Sequence, residues 1–189
     1  DQLEVRETDA LGASLDIVPT LLSIAGASSD EVAEKHPELR GEDLTPTIRG
    51  GKTDRDENGI LFYYSVLVGS YDADKFREVM LKTLAGDPPP PPTDGGPIQP
   101  WDDRALFRGI HTGRHKFARY FAPAEHHVPT DWDTLSRHND LELYDIESDP
   151  DELDNLANRP EEHRDLMMSL NEQLNSLIAA EVGTDDGRE

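Results

Sequence analysis

Leu141-Glu-Leu-Tyr-Asp-Ile-Glu-Ser-Asp-Pro-Asp-Glu-Leu-Asp-Asn-Leu-Ala157 turns the chain back on itself, and the rest of the fold can be read outward from it. Leu141 and Leu143 bracket Glu142, and Tyr144 and Ile146 bracket Asp145. That is the two-residue period of a half-buried strand with one slip of face. Ser148-Asp149-Pro150 then predicts a turn, because Asp bonds its own backbone and Pro presets φ for the first corner of a type I turn. Leu153 and Leu156, three apart, predict apolar anchors on a short helical or looped return.

Upstream, Leu106, Arg108 and Ile110 alternate, as do Phe117, Arg119 and Phe121, on either side of Thr112-Gly113-Arg114. This is the chemistry of a hairpin. Ile60–Ser65 is short, apolar and aromatic, follows Asn58-Gly59, and reads as a buried strand. Downstream, Leu166, Leu170, Leu174, Leu177 and Ile178 recur at three and four within Pro160–Val182. Pro160, Glu161 and Glu162 suit the start of a helix there, and Gly183 suits its C-cap. Strands at 60–65, 104–112, 116–122 and 141–146 with this helix laid across them predict an α+β fold, a small antiparallel sheet of about four strands packed by a long C-terminal helix.

Toward the start, Ser14 is a candidate N-cap and Leu15, Val18, Leu21, Leu22 and Ala25 make an apolar face before Gly26 stops the helix. Pro19 sits late for a first turn and predicts a kink or a late start. Asp30–His36 is polar with helical tendency. Ala73–Leu84 has helical spacing through Phe76, Met80 and Leu84. Beyond it Pro88–Pro92 enforces extended geometry, so 86–100 reads as a Pro-rich insertion loop.

Forty acids against 18 bases give a formal net charge of −22, and only five of the bases are lysine. Nucleic acid is excluded as an expected partner, since phosphate binding needs a basic face. No apolar run is long enough to span a bilayer, so no membrane association and a soluble protein are expected. With no cysteine, disulfides, thiolate metal sites and a cysteine nucleophile are absent from this segment. Acids spread along the whole chain, with Arg preferred to Lys, read as adaptation to high salt, where self-repulsion is screened within about 3 Å. Mean hydropathy is −0.69, but the periodic apolar segments argue for a folded chain.

Three blocks resemble the type I sulfatases of the alkaline phosphatase superfamily, in family order. Asp16-Ile-Val-Pro-Thr-Leu-Leu-Ser-Ile-Ala-Gly26 is similar to a family helix that packs on the large α/β sheet near its end, and Gly41, Asp43 and Leu44 align with the segment that follows it. Arg108-Gly-Ile-His-Thr-Gly-Arg-His-Lys-Phe117 is similar to the family's Arg-x-Val-Arg-Thr-x-x-Tyr-Lys-Tyr, with His111 in place of Arg and His115 in place of an aromatic. Glu142–Ile146, Asp149-Pro150 and Asn155-Leu156-Ala157 complete the match. The resemblance implies that 1–50 is the tail end of an α/β catalytic domain, whose last helix precedes a C-terminal α+β subdomain at 51–189. It implies a parent hydrolase of sulfuric esters that uses a formylglycine and a divalent cation, calcium or magnesium. The formylglycine motif, Cys/Ser-x-Pro/Ala-x-Arg, occurs nowhere in the chain. The segment is therefore expected to hold no catalytic residue and no cofactor, to be inert alone, and to take an upstream catalytic domain as its partner.

Residues that could carry chemistry are few. Asp145, Glu147, Asp149 and Asp151 alternate like the first ligands of a calcium loop, but Pro150 replaces the glycine of the sharp turn and Leu156 the bidentate acid. Glu125, His126 and His127, with Asp131, Asp133 and His138, form a metal-like cluster on what reads as a loop over 123–138, with Pro123 and Pro129 in it. Adjacent histidines rarely face one ion, so no metal site is assigned. His111, Lys116, His126 and His127 are instead candidates for the rim of the parent's substrate pocket. The rival readings are an autonomous acidic module binding calcium or a cationic partner, and the C-terminal part of a related phosphatase or phosphodiesterase.

Overall fold

The computed structural model describes residues 7–65, 81, 85, 104, 106–122 and 128–183, excepting the side chains of 64 and 65. Its centre is a four-stranded antiparallel meander, β1 (Ile60–Ser65), β2 (Leu106–His111), β3 (His115–Phe121) and β4 (Asp140–Asp145), each strand beside its neighbours in sequence. The β2–β3 hairpin turns at Gly113, whose φ of 88° favours glycine, and the Thr112 N–H donates to the His115 carbonyl at 3.0 Å.

The register lines up the alternation seen in the sequence. Leu61 faces Ile110, Ile110 faces Phe117 and Phe117 faces Leu143, making one cross-strand apolar row. The long last helix, α6 (Pro160–Glu181), lays Met167, Leu170, Leu174, Leu177 and Ile178 on this row, and α5 (Trp132–His138) adds Leu135 to the same core. Gly183, at φ 97°, closes α6 by donating to the Ile178 carbonyl. The next row pairs two buried arginines. Arg108 stacks on Tyr63, 3.9 Å from the ring centroid, and lies 5.3 Å from that of Phe121. Arg119 reaches the amide oxygens of Asn171 and Asn175 on α6, whose own NH2 groups donate to the Pro129 carbonyl. Paired in this way, guanidinium groups are tolerated beneath a helix.

Four short helices precede the sheet: α1 (Ile17–Ile24), α2 (Ser29–Lys35), α3 (Thr45–Ile48) and α4 (Arg55–Asn58). Pro19 produces a late start, because a 3-10 turn at Ser14–Asp16 comes first and places the proline in the first turn of α1. Ser14 makes no capping bond. The Asp16 carboxylate takes over that work, accepting the N–H of Ala13 and, across the fold, the N–H of Glu42, both at 2.8 Å. Thr20 Oγ1 accepts from the Leu44 N–H at 2.9 Å. A side chain at Gly41 would sit 2.1 Å from the Leu15 carbonyl oxygen, so residues 41–44 can lie this close only with glycine there.

β1 is not the buried strand expected, since it lies at the sheet edge with Phe62 44% and Tyr63 36% exposed. Two further expectations are corrected. Leu153 is no anchor, being 83% exposed. The return onto β4 is held by Asn155, whose Oδ1 accepts from Leu143 N–H and Ala157 N–H, both at 3.0 Å, while its Nδ2 donates to the Leu141 carbonyl at 3.1 Å. One amide side chain thus serves the backbone of β4 as a neighbouring strand would. Second, 132–138 is helical. Asp131 caps α5 through the Thr134 N–H at 2.9 Å, a cap that overrides the breaking effect of the neighbouring prolines. The helical spacing over Ala73–Leu84 and the loop at 86–100 lie outside the described residues, apart from helical Leu81.

Candidate functional site

The face of the sheet turned away from α6 carries the chemistry-bearing residues. Its side chains fall in cross-strand rows set by the register: Ile60, His111, Lys116 and Tyr144 in one, and Phe62, Gly109, Ala118 and Glu142 in the next. Phe107 and Tyr120 stand opposite each other in the third, ring centroids 5.4 Å apart and planes 34° apart. Because Gly109 and Ala118 are small, the middle row is sunk, and a concavity of about 240 Å³ opens between the flanking rows.

The sequence candidates His111 and Lys116 are brought together, directly opposite on β2 and β3. Their electrostatics differ from those of a ready anion site. Lys116 Nζ is ion-paired with Glu152, which follows the β4 turn with a left-handed φ of 54°. Burial, then the Lys116 charge, push the His111 imidazole below its ordinary range, so it is neutral at pH 7. Its Nε2 is buried and makes no hydrogen bond to the described residues. On the far side of the concavity the Tyr120 hydroxyl donates to Glu142 at 3.0 Å, and burial and that carboxylate push the phenol up to about 12.

His126 and His127 lie outside the described residues. Of the acids and histidine near them, Asp131 caps α5 and Asp133 pairs with Arg137 along that helix at 2.9 Å, while His138 ends it. The alternating acids after β4 do not converge either. Arg114 holds the Asp145 carboxylate, at 2.8 Å, well down at a pKa of about 2, and Asp149 Oδ2 accepts the Asp154 N–H. Among the described residues no group of three or more His, Asp or Glu could hold a metal ion.

Sequence reasoning missed most of the concavity, namely Phe62, Phe107, Tyr120, Glu142, Tyr144 and Glu152. The alternation Phe107, Gly109, His111 was available, but only the register places Gly109 against Ala118. It also missed a buried ion cluster at the other end of the fold. Arg55, 1% exposed, donates from Nε and Nη2 to Asp16 at 3.1 and 2.7 Å and from Nη1 to Glu181 of α6. Glu42 stands 3.9 Å from its Nε. Burial alone would raise the Asp16 carboxyl, but Arg55 and the two backbone donors outweigh it and hold the group below its ordinary range. The same burial leaves Glu42 raised in spite of Arg55.

No protein-family model matches the chain, and no curated protein matches it. Solved structures do. A sulfatase candidate, yidJ of Bacteroides fragilis, is similar over 88% of this chain with 17% identity and a TM-score of 0.52. A protein solved in complex with its substrate, D-glucosamine-2-N,6-O-disulfate, is similar over 92% with 18% identity and a TM-score of 0.50. A sulfatase candidate from Bacteroides thetaiotaomicron is similar over 89% with 20% identity and a TM-score of 0.50. The chain covers 24 to 25% of the length of these three structures. The likeness is one of fold.

Proposed function

We propose that this chain is the C-terminal portion of a sulfatase-like hydrolase of sulfuric esters and that, alone, it is catalytically inert. The observation that carries the reading is the state of α1. Its polar side is locked to residues 41–55 through Asp16 and Thr20, whereas Ile17, Val18, Leu21 and Ile24 are 48 to 59% exposed along its other side. An amphipathic helix fixed by one side with its apolar side outward is built to be covered. The α/β catalytic half implied by the Asp-x-x-Pro-Thr block is the proposed cover. The fold likeness to about a quarter of two sulfatase candidates and a sulfated-sugar-binding protein supports this reading.

In this role the chain completes the fold of the catalytic half, which would bring the formylglycine and the divalent cation. His111 is the proposed contribution to the pocket rim. Neutral and with its Nε2 buried, it would shape the rim by packing rather than act as a charge. Lys116 is the weaker candidate because Glu152 already holds it. The acidic surface fits a protein working at high salt.

The test is hydrolysis of an aryl sulfate and an aryl phosphate in molar KCl, by this chain and by a longer chain carrying the preceding sequence of its gene. Sulfate release by the longer chain alone supports the reading. Preferential phosphate release moves the assignment to a phosphatase relative, and a preceding sequence without a formylglycine motif removes the sulfatase.

A further inference from the structure

The concavity on the open sheet face is not absorbed by that reading. It exists because two facing positions on the central strands are small, and a Cβ at Gly109 would already meet the Phe117 carbonyl at 3.2 Å and the Phe107 ring at 3.6 Å. Around that floor stand Phe62, the tilted pair Phe107 and Tyr120, and Tyr144. Among these rings lie three charged groups, Lys116, Glu142 and Glu152. Lys116 and Glu152 neutralise each other. Glu142 is left over. Its Oε2 accepts the Tyr120 hydroxyl at 3.0 Å, while among the described residues no cation pairs with it and its Oε1 accepts no hydrogen bond.

The excess charge acts across the concavity. After burial, the Glu142 field raises the Tyr120 and Tyr144 phenols, and Glu152 adds to the second. Surroundings that oppose a further negative charge attract a positive one. A hard metal ion does not fit, because it needs about six oxygen ligands and no group of three acids or histidines among the described residues could hold one. An ammonium is a strongly hydrated point charge, ill matched to walls of aromatic carbon. A guanidinium suits both kinds of wall. It is flat and weakly hydrated, so its faces lie against rings, and the N–H groups in its plane make charge-assisted bonds to a carboxylate. The sheet already holds one against a ring on its opposite face, where Arg108 stacks 3.9 Å from the Tyr63 centroid. About 240 Å³ admits such a head group rather than a long chain. We infer that the open face of the sheet is a binding site for a guanidinium group, its plane among Phe62, Phe107 and Tyr120 and its N–H groups on Glu142. The site is formed within this chain, so the inference stands whether or not ester hydrolysis is found.

Saturation-transfer NMR titrations on the whole 189-residue chain test it, in a buffer whose salt keeps the melting transition intact. The probes are ethylguanidinium and N-acetyl-arginine amide up to roughly 10 mM, a range suited to millimolar dissociation constants. N-ethylurea has the same shape without the charge, and tetramethylammonium has the charge without the plane or the N–H groups. Ethylguanidinium is expected to bind at least about fivefold more tightly than either. Tighter binding of the capped arginine assigns the source to a polypeptide side chain and weaker binding to a free guanidino compound, and either supports the site. Glu142→Gln keeps an acceptor for Tyr120 but removes the charge, and should weaken ethylguanidinium roughly tenfold. Phe62→Ala should weaken it roughly threefold, both variants keeping the melting transition in place. Glu161→Gln, exposed at the start of α6, should change nothing, which separates the site from diffuse attraction to an acidic surface. Absence of transfer to ethylguanidinium overturns the site. So does binding of the urea or of tetramethylammonium at equal strength, binding that neither substitution at the concavity weakens, or a loss in Glu161→Gln as large as that in Glu142→Gln.

Discussion

α1 and α6 both carry apolar stripes, yet they are held in opposite ways. On α6 the stripe is inside, with Met167 and Leu174 fully buried against the Ile110–Phe117–Leu143 row. On α1 the stripe is outside, and what is inside is polar: Asp16 and Thr20, bonded to Arg55, Glu42 and Leu44. The sheet layer is a hydrophobic core with polar inclusions, and the region before it is a polar lock with little core. Amphipathicity in a sequence therefore announces a face to be covered without saying whether the same chain covers it.

That contrast can be broken at its strongest point by Arg55→Met. The substitution leaves the buried Asp16 carboxylate without its cation and should lower the unfolding free energy by about 3–5 kcal/mol in urea titration. An undiminished midpoint would mean that the lock is ornamental. In the sheet layer, Leu174→Ala should cost about 2–5 kcal/mol by the same measurement, as a cavity in a closed core does. Asn155→Ala strips three bonds from the β4 return and should cost about 1–3 kcal/mol, with faster amide exchange at Leu143 as its local signature.

A smaller effect follows from His111. Its folded pKa lies below the free value of 6.5, so the unfolded chain takes up the proton first. Stability is full above pH 6.5 and declines as the pH falls through the window between that value and the folded pKa. His111→Gln should flatten the melting temperature across that window. Least of all, Leu21→Ala on the outward face of α1 should change stability by less than about 0.5 kcal/mol. A cost comparable with Leu174→Ala would show that α1 is already covered.

The sheet and its helix were legible because their periods are local. Alternation through Leu106–Ile110 and Phe117–Phe121, a glycine turn between them, and leucines at three and four in α6 each report one element from a few neighbouring residues. Asn155 was hidden because the anchor is polar, and the apolar pattern drew attention to Leu153 instead. α5 was signalled by Asp131 three residues before Thr134, with Trp132 and Leu135 following, but the preceding prolines, Pro123 and Pro129, read more loudly. The pair His111 and Lys116 was found as part of a hairpin, whereas the concavity beside it depends on which residue faces which across four strands. The Asp16–Arg55–Glu181 cluster joins positions 39 and 126 residues apart, and no periodicity spans such a distance.

That last separation acts in time as well as in space. A chain leaves the ribosome from its N-terminal side at about 5–20 residues per second. Glu181, which lies 126 residues after Arg55, therefore follows it by roughly 6–25 seconds. Throughout that interval the guanidinium has Asp16 and Glu42 but not its third acid. The early helices thus wait, half-fastened, for the end of α6 to close the clasp, and a message cut short before residue 181 yields a protein whose beginning is loose because its end was never made.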